Sequence, residues 1–300
     1  MTETNGRAHS IIAKLTNLHR ETGKSHQYLI DRFAQERFLY RISTSKHRDR
    51  FVLKGGLLLT AITNRFYRAT RDIDVRVLTD NDLETIQTLL TDLLTHEVAD
   101  DGMAFNREHM ILTPIRVKSA EQGLRLRMRA HLGKARANIQ MDMGFSDTIA
   151  LPQNDFEYPV LLSEYPIPII RAYSVESVIA EKLEAIAILD EQTSRYKDYD
   201  DVLELSRHKH FHIAHLWLAI KMTFERRGTS FEKLLPALGA DRASKREREY
   251  QAYRKRDDVH AEAMTFSECL ERLRNFVDPL LRYDLDGIVS VWENNQWKTK

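Results

Sequence analysis

Residues 72–78, DIDVRVL, alternate without a break. Ile73, Val75 and Val77 fall on one face of an extended strand, and Asp72, Asp74 and Arg76 fall on the other. This pattern gives a strand with an apolar face and a polar face. It also carries an oddity. Aspartate is depleted from strands and repels a like-charged neighbour, yet two stand on one strand face, about 6–7 Å apart. That spacing lets two carboxylates share divalent cations about 3.5–4 Å apart. Mg²⁺ favours hard oxygen ligands and commonly bridges carboxylates to phosphate oxygens. The rival reading is a pair of aspartates facing water at a strand end.

Upstream, RFVLKGG reads as a short apolar strand ending in Gly55 and Gly56, and LLLTAITNRF reads as the helix that follows. Such a turn exposes backbone N–H groups at a helix N-terminus, where a phosphate binds well. Lys54 is grouped with the two glycines as nucleotide-binding. Downstream, LRLRMRAHLGKARANIQMDMGF reads as a β-hairpin with Gly133 in its turn. Its first arm sets Leu124, Leu126 and Met128 against Arg125, Arg127 and Arg129, and its second sets Ile139, Met141 and Met143 against Gln140 and Asp142. A strand beside DIDVRVL would bring Asp142 to the acidic pair as a third metal ligand and general base. The arginine face would hold an RNA backbone or form a charged edge strand that blocks aggregation.

A proline-containing segment (Pro152, Pro159, Pro166, Pro168) leads into a region that reads as almost wholly helical. Ser174 is a good N-cap for VESVIAEKLEAIAIL. On that helix Lys182 falls inside the apolar stripe of Val178, Ile179, Leu183 and Ile186. A lysine aimed at the core needs an anionic partner, either the phosphates of a nucleotide or a structural carboxylate. In SRYKDYDDVLEL, Asp198 shares an inward helix face with Val202 and Leu205, and Asp201 lies nearby. These acids would orient Lys182, contact the nucleotide, serve as base, or form a plain ion pair. Arg226-Arg227 is a second candidate basic patch. His208, His210, His212 and His215 have no recognisable zinc spacing, and Trp217, Trp292 and Trp297 read as packing residues.

The domain boundary is predicted near residue 172, with an α+β domain over 1–172 and an α-helical domain over 173–300. Residues 1–8 read as disordered, and 241–260 as a solvated helix or loop. The 300 residues have a net charge of +1, so RNA contact would need a local basic patch. One cysteine, Cys269, excludes an intramolecular disulfide and points to a reducing compartment. There is no hydrophobic leader and no apolar run of membrane-spanning length. The expectation is a soluble cytoplasmic protein with no membrane partner.

Six blocks, in order, resemble the AbiEii/MenT family of nucleotidyltransferase-like toxins: ERFLYRIS, RFVLKGGLLL, YRATRDIDV, IQMDMGFSD, RAYSVESVIAEKLEAI and SRYKDYDDVLEL. They span about residues 35–205. The resemblance implies a nucleotidyltransferase-fold N-terminal domain, a mixed sheet with flanking helices, followed by a helical C-terminal domain. It implies a toxin of a toxin–antitoxin or abortive-infection phage-defence system, partnered by an AbiEi-like antitoxin. It implies nucleotide transfer from a nucleoside triphosphate, with Mg²⁺ or Mn²⁺, to an RNA acceptor such as the 3′ end of tRNA, blocking translation. By position, Gly55, Gly56 and Arg68 match the first motif, Asp72 and Asp74 the metal-binding pair, Lys182 the nucleotide-contacting lysine, and Asp198 and Asp201 the last acidic motif. Three departures stand out: Gly55-Gly56 where many relatives have Gly-Ser or Gly-Ala, Ser146 in place of a glycine, and Asp200 in place of an aromatic. Two rivals remain open: a transferase acting on a protein or small molecule, and a nucleotide-binding interaction protein without turnover.

Overall fold

The computed structural model describes residues 3–63, 70, 72–79, 82–117, 121–145, 153–189, 195–256, 263–286 and 289–299. The chain divides into two compact units. The first comprises Met1–Ala61, Thr70–Ile149 and Gln153–Ala172, and the second is formed chiefly by Tyr173–Lys300.

The first unit contains α1 (Glu3–Thr22), α2 (His26–Thr44), β1 (Phe51–Lys54), α3 (Gly55–Thr63), β2 (Asp72–Val77), α4 (Leu83–Thr95), β3 (Met103–Phe105), β4 (Ile111–Val117), β5 (Glu121–Leu132), β6 (Ala135–Phe145), β7 (Gln153–Glu157) and β8 (Ile169–Tyr173). Among the described residues, eight strands form one mixed sheet ordered β3-β5-β6-β2-β1-β8-β7, with β4 also paired to β5. β1 runs antiparallel to β2, while β2–β6 and β1–β8 are parallel. The alternation read from the sequence decides the layering. Ile73, Val75, Val77, Leu126, Met128, Ile139, Met141 and Met143 are all buried, and α2 packs against β6. Ser25 caps α2 by accepting a hydrogen bond from the Tyr28 amide.

Two expectations are corrected here, and a segment left unassigned is placed. The N-terminal segment is helical from Glu3, because Ala8, Ile11 and Leu15 form a buried stripe that extends the amphipathic pattern back through residues read as disordered. The proline-containing segment supplies β8, a parallel neighbour of β1 with Leu53 opposite Ala172. β5 is an internal strand, bonded to β6 along one side and to β3 and β4 along the other. Its arginines therefore do not guard a sheet edge.

α2 also carries buried charge. Arg41 makes a two-pronged pair with Asp101 at 2.6 and 3.1 Å, and Arg32 bonds Glu36 at 3.2 Å. Glu36 further accepts the Leu161 amide at 2.9 Å, and Arg37 donates to the Pro166 carbonyl at 3.0 Å. These bonds fasten the segment leading into β8 onto α2. Buried charges demand such partners, since desolvation is costly.

The second unit contains α5 (Val175–Leu189), α6 (Tyr196–His208), β9 (Phe211–His212), α7 (Ile213–Arg227), α8 (Leu234–Ala237), α9 (Asp241–Arg256), α10 (Phe266–Asp286), β10 (Ser290–Glu293) and β11 (Gln296–Thr299). Ser174 accepts the Ser177 amide at 3.2 Å and so caps α5. The unit is mostly helical as expected, but its C-terminus is a correction: β11, β10 and β9 make a small sheet. Asn294 and Asn295, at φ 52° and 61°, form the hairpin turn. Trp292 and Trp297 pack on Phe276 with ring centroids 4.7 and 5.9 Å away. A second correction concerns α9, which is no merely solvated helix. Arg246, Tyr250, Tyr253 and Arg254 are buried. No helix among the described residues is long and apolar enough to cross a membrane.

Candidate active site

Residues directly opposite on paired strands share a sheet face. Lys54 on β1 is opposite Asp74 on β2, Asp74 is opposite Asp142 on β6, and Asp142 is opposite Arg125 on β5. One row of charged side chains thus crosses four strands. In the next row Asp72 faces Gln140, which faces Arg127. The opposite face of these strands is the core, so the row lies on the polar face. Asp72, Asp74, Asp142 and Arg125 are half-buried there, and Lys54 is buried.

Gly55 explains the setting of Asp74. Its φ is +69°, a conformation glycine adopts without strain. A Cβ at this position would lie 2.1 Å from Asp74 Oδ2 and 2.7 Å from both Asp74 Cβ and Cγ. The Asp74 side chain therefore rests directly on the Gly55 backbone, where α3 begins. Two half-exposed carboxylates beside the amide-rich start of a helix fit a hard divalent cation bridged to phosphate oxygens.

The third carboxylate has a charged partner. Asp142 does sit in register with Asp74, but Arg125 engages both of its oxygens, Nε to Oδ1 at 2.7 Å and Nη2 to Oδ2 at 2.6 Å. Among the described residues, no group of three or more His, Cys, Asp or Glu is arranged to hold a metal. The hydrogen bonds it donates to Asp142 hold the Arg125 guanidinium above its usual range, and the negative fields of Asp142, Asp72 and Asp74 act in the same direction. Arg125 thus belongs to the acidic row. Arg127, bonded to Gln140 at 3.2 Å, and Arg129 are exposed farther along the same face. Arg68 and Ser146 lie outside the described residues.

In the second unit, Lys182 is buried as its place in the apolar stripe requires. Its Nζ donates to Asp198 Oδ1 at 3.1 Å and to Asp201. Arg195 adds an ion pair to Asp198 at 3.0 Å. Asp198 and Asp201 are 3% and 0% exposed, so both acids do point inward. Asp200 turns to another partner, accepting from the Tyr250 hydroxyl at 2.6 Å, with Arg254 at 3.6 Å. Burial raises its carboxyl pKa, and the Tyr250 hydrogen bond opposes that rise. One oxygen of Asp200 is therefore engaged by an aromatic hydroxyl from α9.

Arg227 is not part of a basic surface patch. It bonds Glu181 and Glu184 at 2.6 Å each, and Thr229 also donates to Glu184 at 3.0 Å. His208 pairs with Glu204 at 3.2 Å, and Trp292 and Trp297 donate to the Ser206 and Phe276 carbonyls. The sequence reading missed the Arg125–Asp142 pair, although a signal existed. The turn residues Gly133 and Lys134 separate partners Leu132 and Ala135, and counting outward from them places Arg125 opposite Asp142.

Among solved structures, the chain is similar to JHP933 from Helicobacter pylori, with 16% identity and a TM-score of 0.49, covering 85% of this chain and 92% of that one. It is also similar to an antigenic nucleotidyltransferase-like protein from Paracoccidioides brasiliensis, with 12% identity and a TM-score of 0.37, covering 68% of this chain and 90% of that one. Comparison with curated proteins gives no match. Residues 37–272, most of the chain, match the family described as nucleotidyl transferase AbiEii toxin, Type IV TA system. An acidic strand pair set on a glycine turn, in a mixed sheet followed by a helical unit, thus belongs to a member of the AbiEii nucleotidyltransferase toxins, an enzyme of Type IV toxin–antitoxin systems.

Proposed function

We propose that this nucleotidyltransferase uses Asp72 and Asp74 to hold Mg²⁺ or Mn²⁺ on a nucleoside triphosphate and moves the nucleotide to an RNA acceptor, the 3′ end of tRNA. The observation that carries the reading is Asp74 lodged against Gly55, where α3 begins, with Asp72 two residues away on the same face of β2. The first amides of α3 would receive phosphate oxygens. The cation, when bound, would neutralise charge on the transferring phosphoryl group, an effect worth several kcal/mol. Lys54, in register with Asp74, adds a positive group to the same row. In the second unit, Lys182, held by Asp198 and Asp201, is the lysine that the family resemblance matches to a nucleotide contact. Arg127 and Arg129 offer exposed guanidinium groups to an acceptor backbone, the usual way protein fixes the register of a nucleic acid without reading its bases.

Labelling a tRNA end would stop translation and growth, which suits a toxin acting in the cytoplasm, held in check by an AbiEi-like antitoxin and released during phage defence. The test is incubation with each α-labelled nucleoside triphosphate, Mg²⁺ and total cellular RNA. Label enters RNA with the native chain and falls to background in Asp72→Asn and Asp74→Asn, both of which melt normally. Full labelling by either variant refutes the assignment of the pair. Label on a protein or small molecule, with none in RNA, replaces the acceptor.

A further inference from the structure

We propose that the polar face of β5 and β6 beyond Asp72 is the acceptor track: an unpaired strand of RNA lies along it, with its reacting end at the acidic row and its body toward the β5–β6 turn. The inference rests on the reading of Asp72 and Asp74 given above. Its ground is the uneven exposure of one sheet face. On one side of the row of Lys54, Asp74, Asp142 and Arg125, the next row is Val52, Arg76, Gly144 and Gly123, again opposite one another on β1, β2, β6 and β5. All four are buried, so this end of the face is closed to a long ligand. On the other side the face is open. Arg127 stands in the row of Asp72, Arg129 one row farther with Asn138, and Arg136 one row beyond that with His131. Arg127, Arg129, Asn138 and Arg136 are all exposed.

The charge changes along the same line. Past Arg125 and Asp142, this face of β5 and β6 carries Arg127, Arg129, His131, Arg136, Asn138 and Gln140, with no carboxylate among them. Asp31 of α2, which accepts from the Asn138 amide at 3.0 Å, borders the file at its edge. Rows repeat about every 6.5 Å along a strand, so the three guanidinium groups span roughly 13 Å leading away from Asp72. Cations in file from a phosphoryl-transfer site suit a polyanion whose end reaches that site, since phosphate contacts fix register and direction. The form of the polyanion follows from the shape of the face. A paired A-form end keeps its major groove too deep and narrow for side chains to enter. An unpaired strand lays its phosphates along a basic file, and its splayed bases can stack on arginine planes. The open face therefore takes a single strand.

The test presents the full chain with two RNA hairpins of one sequence, one blunt and one ending in about four unpaired nucleotides, enough to span the three rows. Binding is read by fluorescence anisotropy across a salt series, and transfer by label from the nucleoside triphosphate. The overhanging end should bind and accept label at least about tenfold better than the blunt end, the gain expected from a single well-stacked base. Combining Arg127→Gln, Arg129→Gln and Arg136→Gln should lower the slope of log affinity against log salt by about 2, at roughly 0.7 for each single-strand phosphate contact, with nucleotide affinity unchanged. Lysine at the same three positions keeps the charges and should keep the slope. If the triple glutamine variant fails to fold, Arg136→Gln alone should lower the slope by about 0.7. An unchanged slope in the glutamine variants, or blunt and overhanging ends served equally, overturns the track and leaves the acidic pair standing. A native chain that binds RNA through these arginines yet labels none of it overturns the acceptor reading instead, and with it the placement of the reacting end.

Discussion

Replacing Gly55 by alanine separates two costs that a single glycine position usually confounds. A residue with a side chain held in the left-handed region costs about 1–2 kcal/mol, and Gly55 has φ +69°. Gly23 has the same φ of +69° with nothing within 4 Å of an added Cβ. Gly23→Ala therefore carries the strain alone. At Gly55 the new methyl would also sit 2.1 Å from Asp74 Oδ2, where ordinary contacts begin at 3.4 Å. The carboxylate must retreat by about 1 Å, and a misplacement of that size at a reacting centre costs roughly 10²-fold in rate. Both variants should melt roughly 2–8 °C below the native chain, the shift that 1–2 kcal/mol produces in a unit of this size. Only Gly55→Ala should lose transfer, by about 10²-fold in kcat/KM for the labelled nucleotide. Native turnover in Gly55→Ala would refute the claim that Asp74 is positioned by this turn. Equal losses in both variants would reduce the effect to stability.

Two further outcomes follow from the buried charges. Lys182→Met removes a cation from between two buried carboxylates, a change that typically costs 3–5 kcal/mol, so the melting temperature should fall by roughly 10–20 °C. Nucleotide affinity measured well below that temperature should fall too; an unchanged affinity leaves Lys182 as an ion-pair residue only, and an unchanged melting temperature removes even that role. Glu36 has its pKa pushed up to about 7 by burial, against the pull of Arg32, the Leu161 amide and Arg37. Because the folded value lies above the unfolded one, the folded state holds the extra proton between pH 4.5 and about 7. This contribution to stability is therefore full below pH 4.5 and is lost as pH rises through 7, by on the order of 3 kcal/mol. Glu36→Gln should gain stability relative to the native chain across that window in denaturant titrations, and a pH-independent difference between the two would contradict the buried, proton-holding carboxyl.

Much of the candidate site can be read from local pattern. The alternation of DIDVRVL assigns Asp72 and Asp74 to the polar face, because successive strand residues point to opposite sides whatever the strand's neighbours are. Gly55 and Gly56 mark the turn into α3, and the helical period alone turns Lys182, Asp198 and Asp201 inward. The C-terminal hairpin was legible too, in paired tryptophans flanking Asn294-Asn295, but the surrounding helical periodicity masked it. The buried network on α9 was not legible, since a run such as KREREYQAYRKR reads as solvated until its partners Tyr196 and Asp200 are known.

What the sequence by itself determined is the face on which each charged side chain lies and the turns that bring strands to an end, because both follow from backbone geometry over a few residues. Which strand lies beside which was left to the tertiary structure, because pairing joins segments far apart in the chain and periodicity carries no information about a neighbour. That pairing puts β6 alongside β2 and Asp142 beside Asp74. The hairpin read from the sequence then sets β5 on the far side of β6, where Arg125 meets Asp142. The acidic residues were written in the chain, but the alignment of Asp74 on β2 with Asp142 on β6 was decided by the pairing of strands distant in sequence.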